Sequence, residues 1–155
     1  MDMELKDYKR FCDEAPVGLY KTLQSDGTFL YINPYGARLL GYEKPEDVID
    51  KVKSTSLYPP ELRKKLIDDL HDCGKVSDFE VKITRPDGEV KWITATATNG
   101  DDYIIGSLTD ITDRKEMMQK LVKDTAKTLS GIAEAAKARA ETIAQETLYE
   151  PQPRL

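Results

Sequence analysis

The sequence predicts an α+β domain: a five-stranded antiparallel sheet with short helices gathered on one face, flanked by an N-terminal helix and a long C-terminal helix. Three observations carry this. Two β-rich runs, Gly18 to Leu23 and Thr28 to Ile32, flank Ser25-Asp26-Gly27, a hairpin turn. Later the hydrophobic period changes from helix to strand, and Phe79, Val81 and Ile83 alternate with Glu80, Lys82 and Thr84. Finally, Tyr103 to Arg114 begins as an apolar strand, meets Asp110-Ile111-Thr112-Asp113, and continues as a long helical pattern.

In chain order, residues 3–14 place Leu5, Tyr8, Phe11 and Cys12 on one helical face, and Pro16 ends that helix. After the first hairpin, Asn33-Pro34 opens a short helix, because Asn caps free amides and Pro is tolerated at the first helical position. That helix stops at Gly41. Pro45 to Ile49 reads as another helical turn. Pro59-Pro60 starts a longer helix, with Leu62, Leu66, Ile67 and Leu70 in one stripe, ended by Gly74. Arg85-Pro86-Asp87-Gly88 is a hairpin turn with Pro at its first central position. In the next strand Trp92, Thr94, Thr96 and Thr98 share one face, and Ile93, Ala95 and Ala97 the other. The small apolar face suggests close packing, with the N-terminal helix as the expected cover. Asn99-Gly100 turns into the last strand.

Composition narrows the function. The chain has 155 residues, a net charge of -5, two cysteines and one histidine. An acidic chain lacks the basic face that recruits phosphates, so no nucleic-acid partner is expected. No apolar run approaches a membrane span, and the charged start is no signal peptide, so the reading is a cytoplasmic protein. Cys12 and Cys73 are far apart without metal spacing and read as idle thiols. No nucleophile elbow, phosphate loop or zinc-protease motif is present, and one histidine cannot build a multi-histidine metal site. No enzyme activity and no metal are expected.

The runs E-A-P-V-G-L-Y-K-T-L-Q-S-D-G-T-F-L-Y-I-N-P-Y-G-A-R-L-L-G-Y, R-P-D-G-E-V-K-W-I and I-I-G-S-L-T-D-I-T-D-R-K-E resemble the start, central hairpin and end of a PAS domain, or sensory box, including its D-I-T motif. The resemblance spans roughly residues 10–116, with the elements in the family order. It implies a PAS-like sheet and a dimeric sensory module of a prokaryotic histidine kinase, diguanylate cyclase or chemoreceptor in a two-component or related signalling system. The division expected is an N-terminal cap helix over 1–16, a sensor domain over 17–112, a signalling helix over 113–148 and a tail or linker over 149–155, where Pro151-Gln152-Pro153 cannot continue a helix.

The family's cofactors can be weighed position by position. Flavin light sensors of the light-oxygen-voltage type resemble one another in an N-C-R-F-L-Q-like stretch before the long middle helix. This chain has Lys53-Ser54-Thr55-Ser56-Leu57-Tyr58 there, which excludes cysteinyl adduct chemistry. The yellow-protein chromophore also needs a cysteine in this region, and none lies between Cys12 and Cys73. Haem-binding members carry an axial histidine at a position near Arg63, whereas the sole histidine, His71, sits in the last helical turn, where a cation suits the dipole. No cofactor is evident. Haem and flavin are disfavoured, and a non-covalent small molecule is the expected ligand.

A ligand pocket is expected between sheet and middle helices, lined by Ile32, Leu39, Leu40, Val48, Leu66, Leu70, Phe79, Val81, Trp92, Thr94 and Leu108. The same residues could instead fill the core. Trp92 reads either as a stacking platform or as core, and the threonine row either as hydroxyls for a ligand or as ordinary strand residues. Asp110, Thr112 and Asp113 are expected to act as a signal-relay hinge, with short polar side chains bonding amides at the helix start. Beyond it Met118, Val122, Thr125, Leu129, Ile132, Ala136, Arg139 and Ile143 step by four and three, a 3.5-residue repeat suited to a weak coiled coil. A homodimer through both terminal helices, coupled to a downstream effector, is the resulting expectation. A ligand-free dimerisation or docking module, and a non-covalent flavin or haem redox or gas sensor, are the alternative readings.

Overall fold

Asn33 shows how this sequence ties its elements together. Its side-chain Oδ1 accepts from the amides of Gly36 and Leu19, each at 2.9 Å, and Nδ2 donates to the carbonyls of Cys12 and Val17, also at 2.9 Å. The residue is fully buried, so each of those bonds replaces one that water cannot supply. One side chain thus joins the end of helix α1 (Leu5–Glu14), strand β1 (Gly18–Leu23) and helix α2 (Pro34–Leu39), which it caps with Pro34 at the first helical position.

The remaining elements, in a computed structural model that describes residues 4–147, follow in order. Strand β2 (Phe29–Ile32) closes the first hairpin. After α2 come two 3-10 turns, Pro45–Asp47 and Ser54–Ser56, and helix α3 (Pro60–Cys73). Strands β3 (Lys75–Thr84), β4 (Val90–Asn99) and β5 (Tyr103–Asp110) complete the sheet, and helix α4 (Thr112–Thr147) ends the described chain. The expected tail over 149–155 lies outside the described residues.

All pairings are antiparallel, in the order β2-β1-β5-β4-β3. The last strand therefore enters the middle of the sheet, pairing Gly18 with Leu108 on one side and Ala95 with Leu108 on the other. Strand β3 starts at Lys75, ahead of the alternation that begins at Phe79. A bulge between Val76 and Phe79, with Asp78 at φ 54°, breaks the period there and hides the first pairs. The turn expected at Pro45 to Ile49 is the 3-10 turn Pro45–Asp47.

The core face of the sheet carries Tyr20 and Thr22, Phe79, Val81 and Ile83, Ile93, Ala95 and Ala97, and Ile104 and Leu108, all buried. Helix α3 packs on this face against β3 and β4, and α2 against β1. The expected cover of Ile93, Ala95 and Ala97 by the N-terminal helix is thereby corrected: they face the interior. Helix α1 instead packs beside α2 and leaves Leu5 86%, Tyr8 54% and Phe11 70% exposed.

The chain divides into two compact units, Met1–Asp113 and Arg114–Leu155. Helix α4 is 36 residues long, and along it Met117, Met118, Leu121, Val122, Leu129, Ile132 and Ile143 are exposed.

Candidate ligand cavity and output hinge

A cavity of about 40 Å³ lies among the sheet, α3 and the Ser54–Ser56 turn. Its walls are overwhelmingly apolar. Leu40, Leu66, Phe79, Val81 and Leu108, expected from the sequence, line it together with Phe29, Leu57, Ile83, Ile93, Ala95 and Ile104. Of the other expected residues, Ile32, Leu39, Val48 and Leu70 are buried in the surrounding core but do not line the cavity.

Trp92 and Thr94 require correction. Both sit on the opposite face of β4 from Ile93 and Ala95, and neither reaches the cavity. On that same outer face Thr96 Oγ1 pairs with Ser107 Oγ at 2.8 Å, and Lys21 stacks over the Tyr103 ring at 4.0 Å.

The polar groups of the cavity come from residues the sequence did not single out: Tyr20, Thr22, Ser54, Tyr58 and Arg63. The Tyr20 hydroxyl crosses beneath Gly106 and donates to the Thr96 carbonyl at 2.9 Å. Only glycine permits this approach, since a Cβ at position 106 would lie 1.8 Å from that carbonyl oxygen and 2.9 Å from the hydroxyl. Burial pushes the Tyr20 hydroxyl far above the ordinary tyrosine range, reinforced by Tyr58 and opposed by Arg63. It stays protonated and neutral. The Arg63 guanidinium donates to the carbonyls of Gln24 at 2.8 Å and Leu23 at 3.3 Å, pinning α3 to the first hairpin. The alternation Gly18-Tyr20-Thr22 could have flagged two of these residues, but nothing in the local pattern marks Ser54.

The Ser54 turn is laced to the β1–β2 turn. Its amide donates to the Gly27 carbonyl at 2.8 Å, Phe29 donates to Val52, and Thr55 Oγ1 donates to the Asp26 carbonyl at 3.2 Å. Lys53 pairs with Asp26 at 2.9 Å. That bond, with the Thr28 amide and hydroxyl, holds the Asp26 carboxyl well below the usual carboxylate range.

At the other end of β5, Asp110 Oδ1 accepts from the Thr112 amide at 2.8 Å, and Thr112 Oγ1 accepts from the Trp92 amide at 3.0 Å. The Ile111 amide donates to the Trp92 carbonyl at 2.9 Å. The strand-to-helix joint is therefore bolted to β4. Lys91 stands 3.7 Å from Asp110 and 3.3 Å from Glu89, which pairs with Arg85 at 2.7 Å. Arg85 also donates to the carbonyls of Leu39 and Arg38 at 2.9 and 3.1 Å. This chain of charges links the end of α2 to the joint. Burial pushes the Asp110 carboxyl up, but Thr112, Lys91 and Arg85 outweigh it and leave it below the ordinary range. The Thr112 hydroxyl proton is shared there with the Trp92 carbonyl at 3.4 Å. Asp113 is exposed in the first turn of α4, where a negative charge suits the helix dipole.

His71 is exposed near the end of α3, away from the cavity. Both cysteines are free thiols, Cys12 half-buried and Cys73 exposed. Among the described residues no group of His, Cys, Asp and Glu is arranged to hold a metal ion, and no helix is long and apolar enough to cross a membrane.

Comparison with known proteins agrees with this architecture. No curated protein matches the chain in sequence. The PAS domain of a LuxR-family transcriptional regulator from Burkholderia thailandensis, solved in complex with ethanol, is 21% identical over 68% of this chain and 97% of its own, with a TM-score of 0.56. A sensory box histidine kinase/response regulator from Burkholderia thailandensis is 19% identical, covering 79% of this chain and 98% of that one, with a TM-score of 0.62. The LOV domain of a blue-light activated histidine kinase from Erythrobacter litoralis is 20% identical over 64% and 99%, with a TM-score of 0.52. At these identities the likeness concerns the fold alone. The family model described as PAS domain matches residues 16–113, and the chain belongs to the PAS-domain family.

Proposed function

We propose that this chain is a non-enzymatic sensory module that takes up a small uncharged molecule in its cavity and relays the event to helix α4. One observation carries the reading. Leu108 walls the cavity, and two residues further along the same strand Asp110 holds the first amide of α4. A ligand that repacks Leu108 acts on the strand that sets the joint, and differential binding to two joint geometries is what shifts their populations. The ethanol complex of the Burkholderia PAS domain is a parallel case of a small molecule in this fold.

The size of the cavity argues against haem or flavin. Its 40 Å³ is roughly a quarter of the 150 Å³ or so in which a protein holds one benzene. The exposed apolar rows of α1 and α4 favour a homodimer, since exposed patches of this kind mark interaction sites. Such a dimer would drive a downstream effector of the histidine kinase, diguanylate cyclase or chemoreceptor type, in the cytoplasm.

Native mass spectrometry with a visible spectrum tests the reading. A colourless dimer that gains the mass of a small ligand supports it. An apo mass that persists across a metabolite extract points instead to a ligand-free dimerisation module, the reading the small cavity volume would then favour. Colour would support the flavin or haem alternative.

A further inference from the structure

One rung of the β4–β5 ladder is doubly served. The Trp92 carbonyl accepts from the Ile111 amide, and hydrogen-bonded pairs recur at every second residue of an antiparallel ladder. Thr96 and Ser107, paired in the same register, therefore form a rung in which the Ser107 amide faces the Thr96 carbonyl. That amide has a second acceptor on the same residue, since it donates to Thr96 Oγ1 at 3.0 Å. Ser107 Oγ, 2.8 Å from Thr96 Oγ1, fixes that hydroxyl in place. The carbonyl in turn has a second donor, the Tyr20 hydroxyl at 2.9 Å, and Tyr20 lines the cavity. Ile104 and Leu108 point inward from β5, so a Cβ at position 106 would do the same. The Thr96 carbonyl oxygen lies only 1.8 Å from where that Cβ would stand, so it leans toward the interior.

We propose that Tyr20 is the positioning residue through which the cavity acts on the β4–β5 seam: its hydroxyl draws the Thr96 carbonyl inward and so sets the strength of the Thr96–Ser107 rung. Thr96 Oγ1 keeps the Ser107 amide bonded whichever way the carbonyl leans. Neither group is then orphaned, and the rung can vary without the cost of an unpaired amide or carbonyl. The rung sits in β5 directly ahead of Leu108, which also lines the cavity, and of Asp110, which holds the first amide of α4. A molecule that shifts the Tyr20 ring moves the carbonyl with it, and the seam tightens or slackens just before the joint. The role takes its input from the ligand-binding reading above and adds a second route to the joint beside Leu108.

Tyr20→Phe keeps the ring on the cavity wall and removes only the hydroxyl. The quantity to measure, by NMR on the 155-residue chain, is the coupling across the hydrogen bond from the Ser107 amide nitrogen to the Thr96 carbonyl carbon. Because a hydrogen bond weakens steeply off alignment, the coupling is expected to rise about twofold in Tyr20→Phe as the released carbonyl swings back into the ladder. The amide resonances of Asp110, Ile111 and Thr112 are expected to shift with it. A coupling equal in the two proteins overturns the role. So does a raised coupling with no change at residues 110–112, which would leave Tyr20 a local fastener. Thr96→Val gives a second reading should Tyr20→Phe not fold. Without Oγ1 the Ser107 amide competes for the carbonyl, so the Tyr20 hydroxyl proton should exchange faster with water, and an unchanged exchange rate overturns the proposal. These outcomes need no ligand, so they are distinct from the native-mass result: a persistent apo mass overturns the sensory reading and leaves the rung as measured.

Discussion

Asn33 is the residue on which most backbone groups depend. Removing its side chain takes a partner from the amides of Gly36 and Leu19 and the carbonyls of Cys12 and Val17, of which the Gly36 bond is fully buried and the other three partly buried. Asn33→Ala should therefore cost roughly 2–4 kcal/mol, read as a lowered midpoint in urea unfolding. Asn33→Asp can accept from Gly36 and Leu19 but cannot donate to Cys12 and Val17, so it should also destabilise. The capping half of this role was legible, since Asn before Pro is a helix-start signal. The other half was not, because Cys12 and Val17 are far away in sequence and only the fold brings their carbonyls to one nitrogen.

Among the elements, β4 shows where a sequence pattern stops. Alternation groups Trp92 with Thr94 and Ile93 with Ala95, and both groupings hold in the strand. It does not say which group looks inward, because a period of two has no sign. A large Trp suggests the interior, but it is the small Ala95, with Ile93, that faces the cavity. The N-terminal stripe was likewise visible as a stripe but not as a surface. The strand-to-helix joint was legible in residue type, and the structure adds its basic neighbour, Lys91. Because Asp110 is held below the unfolded value of about 3.9, it stabilises the fold above that pH. The contribution is lost as pH falls through the lower folded value. Wild-type stability should fall more steeply below about pH 4 than that of Asp110→Asn. The difference should be no more than about 1 kcal/mol for so exposed a pair, measured by urea unfolding across pH. Asp110→Ala should additionally free the Thr112 amide, visible as faster hydrogen exchange there.

For the whole molecule, the decisive quantities are how much space the core leaves and how much apolar surface the helices leave uncovered. The sequence could not weigh the first, because one apolar list serves a filled core and a hollow one equally. It named the second through the 3.5-residue repeat, and the exposed Leu129 and Ile132 lie on that row. If those residues meet a second copy, Ile132→Asp should shift sedimentation from dimer to monomer while thermal unfolding of the sheet unit stays unchanged. A variant that sediments like wild type would show that the seam is not the contact.

The position of β5 has a mechanical consequence. With Leu108 laddered to Gly18 on one side and Ala95 on the other, the strand cannot peel away to report on the cavity. A push on Leu108 is shared at once by both neighbours, and the soft coordinate left to the sheet is its twist. A relay built this way would work by flexing and not by melting. If the cavity takes up a ligand as proposed, the sheet would keep its hydrogen bonds through every cycle and need no refolding step to reset.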